Sequence, residues 1–251
     1  MRQSVFDLRT FYASDLGQAA RRLVAQKIEE VWSDLSGLDV LAFGYATPFL
    51  DSIDFAARRR IAAMPHAQGA EAWPRGCRNR VCLTTETRLP FPNAFFDRIL
   101  AVHAVEESDD PLALFHELTR ILAPSGRIIM VVTERRSAWA LADTTPFGHG
   151  RPFLRKQIER LFQDAQLTPL GWTRALYAPP FAAVAHWADG LEHLGARFWP
   201  GFSGVILIEA VKQTFALRPR VNPARSGTQL RPALAPVSAG LGARSTAVDQ
   251  R

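Results

Sequence analysis

Apolar residues recur along the chain in two rhythms, one helical and one strand-like, and the two alternate. Ser14 is placed to cap a helix from Asp15 to about Trp32, in which Leu16, Ala19, Ala20, Leu23, Ile28 and Val31 form a partial stripe. Residues 1–12, ahead of it, mix apolar and charged positions without a clear period. Asp39–Phe43 is a short apolar run closed by Gly44 and reads as a buried strand. Thr47-Pro48 then has the chemistry of a helix start, with Thr at the cap and Pro at the first helical position, and predicts a helix over Phe49–Arg59. Ile61–Met64, Val81–Leu83 and Arg98–Val102 read as further strands, the last following a turn at Pro90–Asn93. Asp110–Leu122 is amphipathic, with Leu114, Leu118, Ile121 and Leu122 on one face, and stops at Pro124-Ser125-Gly126. Ile128–Val132 is the strongest strand signal, Lys156–Gln166 a further helix, and Gly204–Val211 a final strand.

Short apolar strands alternating with helices predict an α/β fold with a mostly parallel sheet covered on both faces. The pattern ends near residue 214. From Arg218 onward Pro219, Pro223, Pro232 and Pro236 punctuate a stretch rich in Ala, Ser, Gly and Arg. The expected organisation is one domain over residues 1–214 and a disordered tail over 215–251.

Charge changes that picture less than its total suggests. The net charge is +6, but the segment from Phe215 carries six arginines and one acid, Asp249, so residues 1–214 are close to neutral. A nucleic-acid partner is therefore not expected, and an RNA-modifying role through the tail lacks the interleaved aromatics of a specific reader. No apolar run approaches the roughly 18 residues of a membrane span, and the N-terminus has no uninterrupted signal-peptide core, so a cytoplasmic location without a membrane partner is expected. Cys77 and Cys82 have no second Cys or His pair at metal-ligand spacing, so neither a metal nor a disulfide is expected.

The stretch Arg88-Leu89-Pro90-Phe91-Pro92-Asn93-Ala94-Phe95-Phe96-Asp97-Arg98, its strand to Val102, and Asp110-Pro111 through Ala123-Pro124-Ser125-Gly126 form a composite pattern about forty residues long. It resembles the class I S-adenosylmethionine (SAM) dependent methyltransferases, specifically the small-molecule "type 11" domain group. The resemblance extends over roughly residues 14–211. It implies a Rossmann-like sheet of seven strands with helices on both faces, SAM as cofactor and a small-molecule acceptor. In this composite Asp97 is placed to tie the start of its strand to the backbone.

The resemblance also locates the cofactor. Gly44-Tyr45-Ala46-Thr47 stands where the family has its glycine-rich loop, although Ala42 replaces an acid, and Ala46 and Pro48 replace glycines. The ribose carboxylate of the family falls near Met64-Pro65, where His66 or Gln68 supplies a neutral acceptor. Thr85 and Glu86 fall near adenine. His103, just past its strand, is a candidate base and cofactor contact, followed by Glu106 and Glu107. His149, between Gly148 and Gly150, is a second candidate base at the site mouth. Tyr12 is expected to pack. His186 and His193 form no ligand set, and Tyr177, Phe181, Trp187, Phe198, Trp199 and Phe202 form either a packed cap or an acceptor pocket. Two functions follow from these departures: SAM-dependent methyl transfer to a small molecule, or a catalytically silent methyltransferase fold acting as a binding or regulatory partner.

Overall fold

In the computed structural model, residues 2–52, 56–181, 188–198 and 202–213 are described. One compact unit spans Met1–Thr214, and the expected tail at 215–251 lies outside the described residues, as do His186, Trp187 and Trp199. Helices α1 (Val5–Ala13) and α2 (Asp15–Val31) lead into β1 (Asp39–Gly44), α3 (Thr47–Ser52), β2 (Arg59–Pro65), β3 (Val81–Thr84) and β4 (Phe96–Val102). Then follow α4 (Pro111–Ile121), β5 (Leu122–Thr133), two 3-10 turns, α5 (Arg155–Asp164), β6 (Leu167–Ala175), α6 (Ala188–Phe198) and β7 (Val205–Lys212). The strands form one seven-stranded sheet in the order β3-β2-β1-β4-β5-β7-β6. Every pairing from β3 to β5 is parallel, and β7 runs antiparallel to both neighbours.

Alternation within β1 divides its side chains between two cores. Val40 and Ala42 enter the layer under α1, α2 and α3, while Leu41 and Phe43 enter the layer under α4 and α5. This accounts for the continuous apolar run, because a strand buried on both faces has no polar side to show. Several local signals act as expected. Ser14 accepts from the Gly17 amide at 3.1 Å, and Asp110 caps α4 by accepting from Ala113 at 3.0 Å. Asp97 receives the Asp39 amide at 2.9 Å, which ties the start of β1 to β4.

Other elements differ from expectation. Residues 5–13 form α1, capped by Ser4, although in this helix only Leu8 and Tyr12 are buried. The helix expected over Phe49–Arg59 is described only as α3, and β2 already begins at Arg59. The turn at Pro124-Ser125-Gly126 falls inside β5 as an irregularity in its pairing with β4, with Ser125 in the left-handed region at φ 60. Strand β6 has no clean alternation because Pro169 and Gly171 flank a register shift against β7.

Candidate functional site

The candidate site lies at the carboxyl edge of β1 and β4, the position at which open α/β sheets bind ligands. Gly44 closes β1 in the left-handed region (φ +76), and a Cβ there would stand 2.3 Å from the Val102 carbonyl oxygen. The bend lets the Tyr45 amide donate to that same oxygen at 2.9 Å. His103 follows β4, also at positive φ (50), and is buried. The sheet register therefore brings Gly44, Tyr45 and His103 together, as the sequence predicts.

Residues 2–13 of the chain itself lie against the Gly44–His103 region. The Tyr12 hydroxyl pairs with His103 Nε2 at 2.7 Å, and its ring stacks on Tyr45 at a centroid distance of 5.8 Å. Arg2, nearly enclosed, donates to the carbonyls of His103 (3.2 Å) and Ala104 (2.9 Å). Its guanidinium also forms ion pairs with Glu86 and, at 3.6 Å, with Glu107. The Gln3 amide donates to the same Glu107 oxygen, Oε2, at 3.0 Å. The Val5 amide donates to the Gln68 carbonyl at 2.7 Å. Thus each region assigned to SAM by the resemblance carries a contact from the N-terminal segment: His103 at the reacting end, Gln68 at the ribose, Glu86 at the adenine.

Electrostatics follow from this enclosure. Burial pushes His103 down to about 3, with the Arg2 charge adding to the shift, so its ring is neutral near pH 7. Burial raises the Tyr12 hydroxyl well above its ordinary range and also raises Tyr45, whose hydroxyl donates to Glu71 at 2.7 Å. Glu106 is pushed up to about 7 by burial, even though it accepts the Thr133 amide at 2.9 Å. Glu107 is raised by burial as well, against the pull of the Gln3 amide and Arg2. A neutral, weakly basic His103 already bonded to Tyr12 is not presented to a substrate, which corrects its expected role as an available base.

The remaining expected residues divide. Ala46 and Thr47 are buried beside Tyr45, and Ala46 belongs to the core under α1 and α2. Met64 is also a core residue, so its side chain does not reach a ribose position. Gln68 is buried and bonds the Gly44 carbonyl at 3.4 Å, while its Oε1 has no partner among the described residues. Thr85 is exposed and turns back to the Arg88 carbonyl at 3.1 Å. Glu86 accepts the Ser108 hydroxyl at 2.5 Å. His149 is exposed, with Nε2 2.9 Å from the Asp143 carbonyl oxygen, and serves its own loop. Of the aromatic group, Tyr177 is half-buried and Phe181, Phe198 and Phe202 are exposed, while Trp187 and Trp199 lie outside the described residues.

Sequence reasoning missed Arg2 as a member of this constellation and expected no more of Tyr12 than packing. Ser4 followed by Asp7 is the available signal, since it caps α1 and aims Leu8 and Tyr12 inward. Nothing local marks Arg2, whose partners Glu86, His103, Ala104 and Glu107 are all distant in the chain.

Comparison with known proteins agrees with this architecture. The methyltransferase domain family matches residues 50–130. The bifunctional biotin-biosynthesis protein BioHC of Teredinibacter turnerae is 28% identical over 116 residues, covering 43% of this chain and 20% of that protein, so the chain corresponds to about one fifth of that relative's length. A chain solved in the complex of the Trm112 methyltransferase activator from Haloferax volcanii is 19% identical (TM-score 0.60), over 85% of this chain and 100% of that one. The [4+2]-cyclase SpnF is 21% identical (TM-score 0.54), over 78% and 82%. These likenesses show that the chain has the class I methyltransferase fold. The stretch that the methyltransferase domain family matches, residues 50–130, contains the Leu89–Asp97 turn and β4. Among the described residues no helix is long and apolar enough to cross a membrane, and no group of His, Cys, Asp and Glu has the arrangement of a metal site.

Proposed function

We propose that this protein acts as a ligand-binding or regulatory member of the methyltransferase fold, with its N-terminal segment held where a class I enzyme holds SAM. One observation carries the reading. Arg2, Val5 and Tyr12 contact all three regions assigned to the cofactor, at Glu86, Gln68 and His103. As folded, these residues do not fit SAM. Their hydrogen-bonding groups are largely consumed by the segment, and the loop carboxylate of the family is Ala42. Fold alone does not define chemistry, and a [4+2]-cyclase shares this one.

A second reading is SAM-dependent methyl transfer to a small-molecule acceptor after residues 2–13 withdraw. Two observations favour it. Gln68 Oε1 is buried without a partner among the described residues, which costs about 1–3 kcal/mol unless a ligand donates to it. Glu86, Glu106 and Glu107 surround a cation, Arg2, and SAM is itself cationic at sulfur and nitrogen. When bound, SAM would supply the electrophilic methyl group.

Calorimetric titration of SAM and S-adenosylhomocysteine into the full chain and into Arg2→Ala separates the two readings. The proposal expects no heat at about 1 mM ligand from either protein, a concentration at which even a weak site of about −4 kcal/mol is half filled. Binding by Arg2→Ala alone supports the second reading. Binding by the unaltered chain, with methyl transfer to any acceptor, overturns the first.

A further inference from the structure

Tyr12 and Tyr45 also line a partly open cavity of about 360 Å³, whose lining does not include His103. It lies among the start of α2, α3 and the loop after β2, and it presents three guanidiniums (Arg9, Arg21 and Arg75) against two carboxylates (Asp51 and Glu71). The carboxylates are already engaged. Asp51 accepts the Trp73 indole N–H at 2.7 Å. Glu71 accepts the Tyr45 hydroxyl at 2.7 Å and lies 3.9 Å from Arg9. Arg21 and Arg75 make no hydrogen bond or ion pair with a described residue, and the Arg21 Nε is shut off from solvent. A buried donor without an acceptor is costly, and the guanidinium fork matches a carboxylate or phosphate better than any other partner.

We infer that this cavity binds a small organic anion, its carboxylate or phosphate head held by Arg21 and Arg75 and its apolar or planar body against Trp73 and Tyr45. Trp73 is buried and fixed by its bond to Asp51, so this wall is rigid before a ligand arrives. Preorganisation of that kind lowers the cost of binding. The volume lies at the small end of ligand pockets, about 300–1,000 Å³, which suits a single-ring or short-chain molecule. The cavity shares Tyr45 and Thr47 with the loop assigned to SAM, whereas Gln68, Glu86 and His103 are not part of its lining.

Phenyl phosphate, benzoate and inorganic phosphate are the probes, titrated calorimetrically into the full chain at low and high salt. Phenyl phosphate or benzoate binds below about 1 mM and more tightly than inorganic phosphate, and the better of the two identifies the head group. Arg21→Gln and Arg75→Gln each weaken that binding by about tenfold or more. Arg78→Gln, outside the cavity, leaves it unchanged. Arg75 is exposed on a loop, so its variant keeps the fold if Arg21→Gln does not. Absence of binding by all three probes overturns the inference. So does binding that Arg75→Gln leaves intact, or that Arg78→Gln weakens equally.

Discussion

The two sides of the Tyr12–Tyr45 pair carry opposite electrostatic conditions. On the His103 side each charged group meets an opposite charge or an amide: Tyr12 answers His103, Arg2 answers Glu86, Glu107 and two carbonyls, and Thr133 answers Glu106, while Gln3 Oε1, Gln68 Oε1, Arg2 Nε and Glu106 Oε2 have no hydrogen-bond partner among the described residues. On the Trp73 side two guanidiniums face an open volume with no protein partner. The buried Nε of Arg21 has no acceptor, a cost that selection of a fold alone does not favour, while Arg75 is exposed at the rim. This contrast in charge pairing is the ground on which the proposed anion site is placed beside Trp73 and Arg21.

Four perturbations break or sharpen this contrast. The largest effect belongs to Gly44→Ala, which forces a side chain at φ +76 onto the Val102 carbonyl and displaces the Tyr45 amide. Strain and overpacking together predict a loss of about 3–5 kcal/mol in urea unfolding, and a loss under about 1 kcal/mol would mean that the bend does not anchor the wall. Arg2→Ala comes next. It strands Glu86 and Glu107, a change worth about 3 kcal/mol in a fixed interior. Because the segment is terminal it can open locally instead, so the expected readout is faster amide hydrogen exchange over residues 4–13 with little shift in the global transition.

Tyr12→Phe keeps the stack on Tyr45 and deletes only the hydroxyl facing His103. The expected loss is about 1–2 kcal/mol, and anion binding in the Trp73 cavity stays within about twofold. A large change in that binding would show that the two sides are not separate. The smallest effect is pH-dependent. Glu106 has a free carboxyl value of 4.5 and is held at about 7 in the fold. The protonated form is therefore favoured by folding. Its contribution is complete below pH 4.5, shrinks as pH rises toward 7, and is absent above that. Glu106→Gln keeps the acceptor for the Thr133 amide, removes this slope, and is expected to be more stable than the parent above pH 7 by about 1 kcal/mol.

Much of the scaffold was legible in the residues. The caps at Ser14 and Asp110, the doubly buried run of β1 and the Leu89–Asp97 turn each act over a few residues, and the structure retains them. Strand β6 was hidden because Pro169 and Gly171 break its alternation, and α1 because two buried side chains in nine residues leave no stripe. The site was legible by half. Gly44, Tyr45 and His103 converge because parallel register aligns the ends of β1 and β4. Met64 was misplaced because a strand residue one step from the edge points into the core. Arg21 and Arg75 gave no sign of sharing a cavity, since each reads locally as a solvated charge.

The sequence by itself determined the order of elements, the two-sided burial of the central strands and the bend at Gly44, because each depends on contacts among near neighbours and on backbone freedom at single positions. Only the tertiary structure decided what fills the space over that bend and what stays open beyond it. Arg2 and His103 are separated by 101 residues, and which charge meets which carboxylate depends on how the N-terminal helix folds back over the sheet edge, a placement that no local pattern encodes.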